Sequence, residues 1–159
     1  MKTKIALVDT MFARGDMGRI AITAMQELAR KNNWEIEILR ETVPGIKDIP
    51  VSMLRLLEQG CKAGIALGMP GSMPIDKQCS HEASLGIQKV QLISRKTVLE
   101  VFVHEDEGKN SQELAEIMRN RATKHALNLL WILFAPEELL KCAGSGERQG
   151  KENASKVEL

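Results

Sequence analysis

Hydrophobic and polar positions alternate along this chain in a way that predicts strands and helices in turn. Short apolar runs at residues 4–9, 63–69 and 97–103 are typical of buried strands. Between Trp34 and Ile38 apolar and acidic residues alternate instead, which predicts a strand with one wet face at the margin of a sheet. Helical spacing between these runs predicts four helices, whose apolar positions are Met17, Ala21, Ala24 and Leu28; Met53, Leu54 and Leu57; Cys79, Ala83, Ile87 and Val90; and Ala115, Met118, Ala122, Ala126, Leu129 and Leu133.

Local signals indicate where these helices begin and end. Asp16 precedes the first helix, Pro50 is placed to open the second, and His81 is predicted to open the third. The fourth helix follows Gly108, and Pro136 is expected to end or kink it. Strands that alternate with helices predict an α/β fold, an open and mainly four-stranded parallel sheet with right-handed crossovers and helices on both faces.

Composition favours one domain and excludes several classes of partner. A chain of 159 residues, 43% of them hydrophobic, suits a single domain, predicted over residues 1–141, followed by a polar tail at 142–159 that is either mobile or docked on a neighbouring subunit. A net charge of +1 gives no basic field for nucleic acid. No apolar run approaches the roughly 20 residues that cross a bilayer, so no membrane partner is expected. Three widely spaced cysteines argue against disulfides and favour a reducing cytoplasm.

Candidate binding residues follow the first three predicted strands. Ligands of open parallel sheets collect beyond the carboxyl ends of the strands. Aromatic residues make up 3% of the chain, so Phe12 after the first strand is informative. It either stacks on a flat heterocycle or plugs the core, and both readings have equal weight. The candidate binding residues are Phe12, Ala13 and Arg14; Pro44, Gly45, Ile46, Lys47 and Asp48; and Gly68, Met69, Pro70 and Gly71.

The two later loops suit different contacts. Pro44 and Gly45 allow close backbone approach, and Lys47 and Asp48 supply a donor and an acceptor, although an ordinary strand-to-helix turn explains them as well. The tight segment from Gly68 to Gly71 could present backbone amides to a polar ligand edge. It lacks the spacing of a P-loop or a dinucleotide fingerprint, so ATP and NAD find no support.

Histidines are the candidates for proton transfer, because imidazole titrates near neutral pH. His81 opens a predicted helix and His104 follows the fourth strand, next to Glu105 and Asp106. The alternatives are a helix-entry histidine bonded to backbone for His81 and a solvated strand end for His104. His125, in the middle of a predicted helix, is expected to be either structural or exposed. Adjacent carboxylates without a spaced ligand pattern do not define a metal site, so no metal ligand is predicted and Mg²⁺ is left open.

Six stretches together carry a resemblance to a known family. They are VDTMFAR at Val8–Arg14, TVPGIKD at Thr42–Asp48, ALGMPG at Ala66–Gly71, HEASLG at His81–Gly86, EVFVHEDE at Glu100–Glu107 and RQG at Arg148–Gly150. In this order they resemble the archaeal riboflavin synthases, relatives of the lumazine synthases, from about Lys4 to Gly150. The resemblance implies a flavodoxin-like subunit, a cytoplasmic homopentamer with active sites where subunits meet, and a transferase.

The implied reaction is a dismutation of 6,7-dimethyl-8-ribityllumazine. Two molecules exchange a four-carbon unit to give riboflavin and 5-amino-6-(D-ribitylamino)uracil, and no organic cofactor is needed because oxidation and reduction balance between them. On this basis Phe12 is assigned to stacking, Gly45–Asp48 to the ribityl chain and ring, and Gly68, Pro70 and Gly71 to the pyrimidine edge. Proton transfer is assigned to His81 or to His104 with Glu105 and Asp106.

The same comparison bears on two alternatives. The stretch Val43–Pro50 parallels the VPGAFELP stretch of lumazine synthases, with Asp48 in place of a ribityl-binding Glu and Phe12 in place of their stacking aromatic. However, Pro74–Gln78 lacks the histidine that those enzymes carry there, and the glycine-rich phosphate-binding segment after the fourth strand is missing. Lumazine synthesis from a butanone phosphate is therefore disfavoured. A non-catalytic flavin or lumazine carrier is the second alternative.

Overall fold

Four strands and five helices alternate along the chain in the computed structural model, which describes residues 1–159. The strands are β1 (Thr3–Thr10), β2 (Ile36–Val43), β3 (Ala63–Gly68) and β4 (Val98–Phe102), and the helices are α1 (Met17–Lys31), α2 (Ile49–Glu58), α3 (Pro74–Ser94), α4 (Ser111–Phe134) and α5 (Pro136–Lys141). A short 3₁₀ turn at Ile46–Asp48 precedes α2. The order β2-β1-β3-β4 in one all-parallel sheet confirms the α/β, flavodoxin-like prediction.

The sheet is covered on both faces, as the apolar runs predicted. Ile5, Leu7 and Ile65 belong to the core that α1 and α4 cover. Ala6 and Val8, the intervening residues of β1, belong to a second core beneath α2 and α3. Because β1 and β3 lie in the middle of the sheet, alternate residues are buried on opposite faces and the runs are continuously apolar. The half-exposed β2 lies at one edge, which confirms its predicted place.

Most predicted helix ends are confirmed, and that of the third helix is wrong. Asp16 caps α1 by accepting a hydrogen bond from the backbone N of Arg19 at 2.9 Å. Pro50 lies in the first turn of α2. The third helix begins at Pro74 rather than at His81, which lies about two turns inside α3 and is exposed. Pro74 needs no amide partner in a first turn, and the Asp76 carboxylate accepts from the backbone N of Met73 at 3.1 Å.

The fourth helix and the tail differ in detail from expectation. Leu114 is buried where Ala115 was predicted, and α4 ends at Phe134 just before Pro136, which opens α5. In the tail, the carbonyl of Arg148 accepts a hydrogen bond from Lys124 Nζ on α4 of the same chain, at 3.1 Å. This intrachain contact was not among the alternatives left open, because hydrogen bonds between polar groups follow no apolar pattern that would locate them in the sequence. No helix combines the length and the apolarity needed to span a membrane.

Candidate active site

A cleft of about 160 Å³ opens beyond the carboxyl ends of β1, β2 and β3. Its walls are Thr10, Phe12, Pro44, Gly45, Ile46, Met69, Pro70, Gly71, Asp76 and Cys79. Parallel pairing, with Thr10 opposite Val43 and β3 on the other side of β1, brings the three loops to one edge of the sheet. The cleft therefore unites residues from all three predicted binding segments.

Three residues of the wall were not predicted. Thr10 is the last residue of β1, and its position at a strand end could have drawn attention to it. Asp76 belongs to the first turn of α3, where the sequence was interpreted as a loop before His81, and Cys79 was predicted only as an apolar position of the third helix. Their position depends on the early start of α3, which hydrophobic spacing alone does not reveal.

Phe12 does not plug the core. Its exposed fraction is 69%, and the ring lies at the rim of the cleft. An apolar ring exposed to water at the rim of a cleft is a suitable stacking surface for a flat heterocycle. The structure thus removes one of the two readings that the sequence left open for this residue.

The loop that carries Phe12 is held at both ends by ion pairs with one arginine. Arg40 Nη2 donates hydrogen bonds to Asp9 Oδ2 at 2.5 Å and to Asp16 Oδ1 at 2.7 Å. Burial alone would lower the pKa of Arg40, but its hydrogen bonds to the two carboxylates raise it above the usual value. Thr42 Oγ1 also donates to Asp9, at 2.7 Å. The loop between Asp9 and Asp16 is consequently tied to β2.

Ala13 and Arg14 face a second, polar cleft rather than the first. This neighbouring space of about 310 Å³ is lined by the Asp9, Asp16 and Arg40 network and by Thr10, Met11, Ala13, Arg14, Gly15, Met17, Thr42 and Leu67. Thr10 is common to both clefts. The predicted segment at residues 12–14 therefore divides between two adjoining spaces.

Gly68 supports the cleft from beneath. A Cβ at Gly68 would lie 2.8 Å from Ile46 Cγ2 and 2.9 Å from Phe102 Cε1, so only glycine lets these side chains pack together under the site. At Gly71 a Cβ would lie 2.3 Å from Asp76 Oδ2. The two glycines are thus explained by close packing around the cleft.

Lys47 and Asp48 do not line the cleft. Lys47 Nζ is paired with Glu82 Oε2 on α3 at 2.6 Å, and this hydrogen bond raises the pKa of Lys47. Asp48 Oδ2 accepts a hydrogen bond from the backbone N of Gly45 at 3.0 Å. Within a single chain both side chains stabilise the loop that supplies Pro44 and Gly45, and ligand contact by either stays a prediction.

The carboxylates after β4 are each paired with a cation from a different element. Glu105 pairs with Arg14 at 3.6 Å and Asp106 with Lys77 at 2.5 Å. The hydrogen bond from Lys77 lowers the pKa of Asp106, which makes it a weaker general base than the sequence suggested. No three His, Cys, Asp or Glu side chains gather where they could hold a metal ion.

The loop that carries His104 is hydrogen-bonded to a residue of the cleft wall. The backbone N of Glu105, the next residue, donates to the carbonyl of Pro70 at 3.0 Å. The Nδ1 atom of His104 is buried and has no hydrogen-bond partner. Buried polar atoms are normally paired, so this nitrogen is available to exchange a proton or to bind a ligand. His125, in contrast, has Nδ1 at 2.8 Å from the Arg121 carbonyl, and burial lowers its pKa, as expected of a structural residue.

Glu100 is a partly buried polar residue that was not among the predicted site residues. It lies on β4, and its carboxylate accepts a hydrogen bond from Ser84 Oγ on α3 at 2.7 Å. Burial raises the pKa of Glu100 above its usual value. The signal in the sequence was a lone carboxylate within an apolar strand run, which is unusual when both faces of a sheet are covered.

The fold and the cleft define an α/β enzyme of the open parallel-sheet class, with a small-molecule site at the carboxyl edge of its strands. The sequence profile of the 6,7-dimethyl-8-ribityllumazine synthase family matches residues 2–135, and the chain belongs to this family.

Curated relatives agree with the family. The chain is 48% identical over 152 residues to the riboflavin synthase of Methanothermobacter thermautotrophicus, covering 95% of this chain and 97% of the relative. It is 42% identical over 154 residues to the riboflavin synthase of Aeropyrum pernix, covering 96% and 97%. It is 39% identical over 148 residues to that of Archaeoglobus fulgidus, covering 92% and 94%. These matches confirm the resemblance to the archaeal riboflavin synthases.

Proposed function

We propose that this chain catalyses the dismutation of two 6,7-dimethyl-8-ribityllumazine molecules to riboflavin and 5-amino-6-(D-ribitylamino)uracil. The observation that carries the proposal is the cleft at the sheet edge, where the exposed Phe12 ring lines one wall together with Pro44–Ile46 and Met69–Gly71. An exposed aromatic ring at the rim of a small concave site suits a flat heterocycle. Relatives named riboflavin synthase, matched over nearly their full length, support it.

The chemistry needs a base and an aligned pair of rings. The C7 methyl group of the lumazine is acidic because its anion delocalises into the ring, so removal of one proton generates the nucleophile. His104, with its unpartnered buried Nδ1, is the proposed base. One lumazine gives up four carbons and the other receives them, so oxidation and reduction balance between the two molecules. Holding two rings in register replaces the entropic cost of their encounter with binding energy.

We also propose that neighbouring subunits complete the site. The cleft of about 160 Å³ is smaller than the roughly 300–1,000 Å³ usual for small-molecule sites, yet two heterocycles must bind. Large apolar side chains are exposed on α2 and α3, namely Val51, Ile75, Leu85, Leu92 and Ile93. Exposed apolar side chains of this size favour association between copies, and we propose the homopentamer that the resemblance implies, acting in the cytoplasm of an archaeon.

The test is to incubate the purified protein with 6,7-dimethyl-8-ribityllumazine alone, with and without Mg²⁺, and to follow riboflavin by absorbance and fluorescence. Riboflavin at half the amount of lumazine consumed supports the proposal, and loss of turnover with a chelator would add a Mg²⁺ requirement. Tight binding without turnover would make the protein a carrier. Turnover only of a butanone phosphate with the pyrimidinedione would make it a lumazine synthase. Sedimentation gives the subunit number.

A further inference from the structure

A short series of hydrogen bonds holds the backbone around His104. The backbone N of His104 donates to Glu107 Oε1 at 2.9 Å. Arg121 on α4 then donates to Glu107 through both terminal nitrogens, at 3.0 Å from Nη1 to Oε1 and at 2.5 Å from Nη2 to Oε2. Arg121 Nη1 also donates to the carbonyl of Phe102, the last residue of β4, at 2.9 Å. The guanidinium thus joins the residues on both sides of His104.

The C-terminal segment covers this guanidinium. The backbone N of Gly150 donates to Asn120 Oδ1 at 2.6 Å. A Cβ at Gly150 would lie 2.4 Å from Arg121 Nε and 2.8 Å from Nη2, so the backbone of Gly150 packs directly on the guanidinium. The side chain of Arg121 is 16% exposed in this arrangement. Lys124 Nζ, one turn further along α4, binds the carbonyl of Arg148 and fixes the other end of the segment.

We propose that the segment Arg148–Gly150 is a positioning element that holds His104 in its reactive place through Arg121 and Glu107. Covering the guanidinium excludes water from the Arg121–Glu107 pair and strengthens it, because the local dielectric falls. The segment also occupies space into which the guanidinium would otherwise turn. This inference rests on the proposed function, in which His104 is the base. It gives a role to the RQG stretch, which the proposed reaction leaves unused.

A pair of truncations tests the segment. A chain that ends at Glu147 lacks the contacts to Asn120, Arg121 and Lys124. A chain that ends at Ala154 keeps them, together with the hydrogen bonds from the Arg148 N to Asn153 Oδ1 and from the Ala154 N to the Gly146 carbonyl. We expect kcat for riboflavin formation to fall about tenfold in the shorter chain with KM within about twofold, because misplacing a reacting group costs rate rather than binding. The longer truncated chain should match the full chain.

A pair of point variants covers the case in which the shorter chain does not fold. Gly150→Ala places a Cβ against Arg121, whereas Gly144→Ala, at a similar positive φ of +73° against +75°, meets nothing within 4 Å. Backbone strain is therefore matched and only Gly150→Ala should lower kcat. Asn120→Ala removes the acceptor of the Gly150 amide, and Asn120→Asp, which keeps an oxygen acceptor, should restore the rate.

Hydrogen exchange of the amides of residues 103–108, measured without substrate, separates this inference from the proposed function. We expect exchange about tenfold faster in the chain ending at Glu147 and in Gly150→Ala, since the His104 amide loses its fixed partner. Exchange equal to that of the full chain in both would overturn the inference, as would faster exchange with kcat unchanged or a rise in KM alone. If instead the proposed function is wrong, the full chain itself will form no riboflavin from lumazine.

Discussion

Arg40 on β2 donates a hydrogen bond to the buried carboxylate of Asp9 at the end of β1, although the two residues are 31 positions apart. Asp9 is 6% exposed, and its carboxylate oxygens accept hydrogen bonds from Arg40 and Thr42. The same guanidinium reaches Asp16 at the start of α1 and thereby closes the loop that carries Phe12. This pair connects the stability of the sheet edge to the position of the stacking ring.

Replacing Arg40 by Ala should therefore destabilise the protein by about 2 kcal/mol, because it leaves a buried carboxylate short of its charged partner. The free energy of unfolding in urea measures this. Arg55→Ala is a matched control, since the Arg55–Glu41 pair at 3.1 Å lies on the surface and should be worth less than about 1 kcal/mol. Equal losses in the two variants would contradict the structural role of the Asp9–Arg40 pair.

Phe12→Ala should weaken lumazine binding about tenfold and leave the melting temperature unchanged. The ring is 69% exposed, so its loss removes a stacking surface without opening a cavity. Met11→Ala is the control, because Met11 is 74% exposed in the same loop but lines the neighbouring cleft. Titration by lumazine fluorescence gives both affinities. An unchanged affinity for Phe12→Ala would remove stacking from the site.

His104→Ala should lower kcat by about a hundredfold or more with the fold intact, the usual size of a general-base contribution. Steady-state riboflavin formation measures kcat, and circular dichroism checks the fold. A loss under about threefold would remove His104 from the mechanism. The same substitution at His81, exposed on α3, tests the second candidate, and a hundredfold loss there alone would assign the base to that helix.

Glu100→Gln should stabilise the protein at alkaline and neutral pH and not in acid. Burial raises the pKa of Glu100 in the folded state above its value in the unfolded chain, so the folded state binds the proton more tightly. The contribution of Glu100 to the free energy of unfolding is therefore fully present below the pKa that this residue has in the unfolded chain. It is lost as the pH rises through the pKa that the residue has in the folded protein. Gln cannot ionise and keeps an oxygen acceptor for Ser84.

The check is the melting temperature of Glu100→Gln and of the unsubstituted protein from about pH 8 to about pH 4. The difference should be largest at the upper limit and shrink as both forms become neutral. Glu37→Gln, at an exposed position of the edge strand β2, should show no such trend. A constant difference across the range would mean that Glu100 is not buried in its charged form.

The alternation of apolar and polar residues was enough to predict the sheet, and with it the edge at which the site lies. A buried strand must be apolar on both faces, and a helix must repeat its apolar face every 3.6 residues. Each element can therefore be predicted from the pattern of residues along its own segment. Parallel strands joined by right-handed crossovers then bring their carboxyl ends together whatever the side chains are. Phe12, Gly45 and Pro70 could therefore be placed at one cleft from the sequence.

Only the tertiary structure decided which charged side chains meet there. Arg14, Lys77 and Arg121 come from three elements, yet each binds a carboxylate of one loop after β4. Three further features could also not be predicted from the sequence. They are the start of α3 at Pro74, the ion pair between Asp9 and Arg40, and the contact of Gly150 with Arg121. Hydrogen bonds and ion pairs between distant residues have no period along the chain, because they depend on where folded elements lie in space. The sequence by itself thus determined the fold, the edge and the candidate groups, and the folded chain determined their partners and which of them remain free to react.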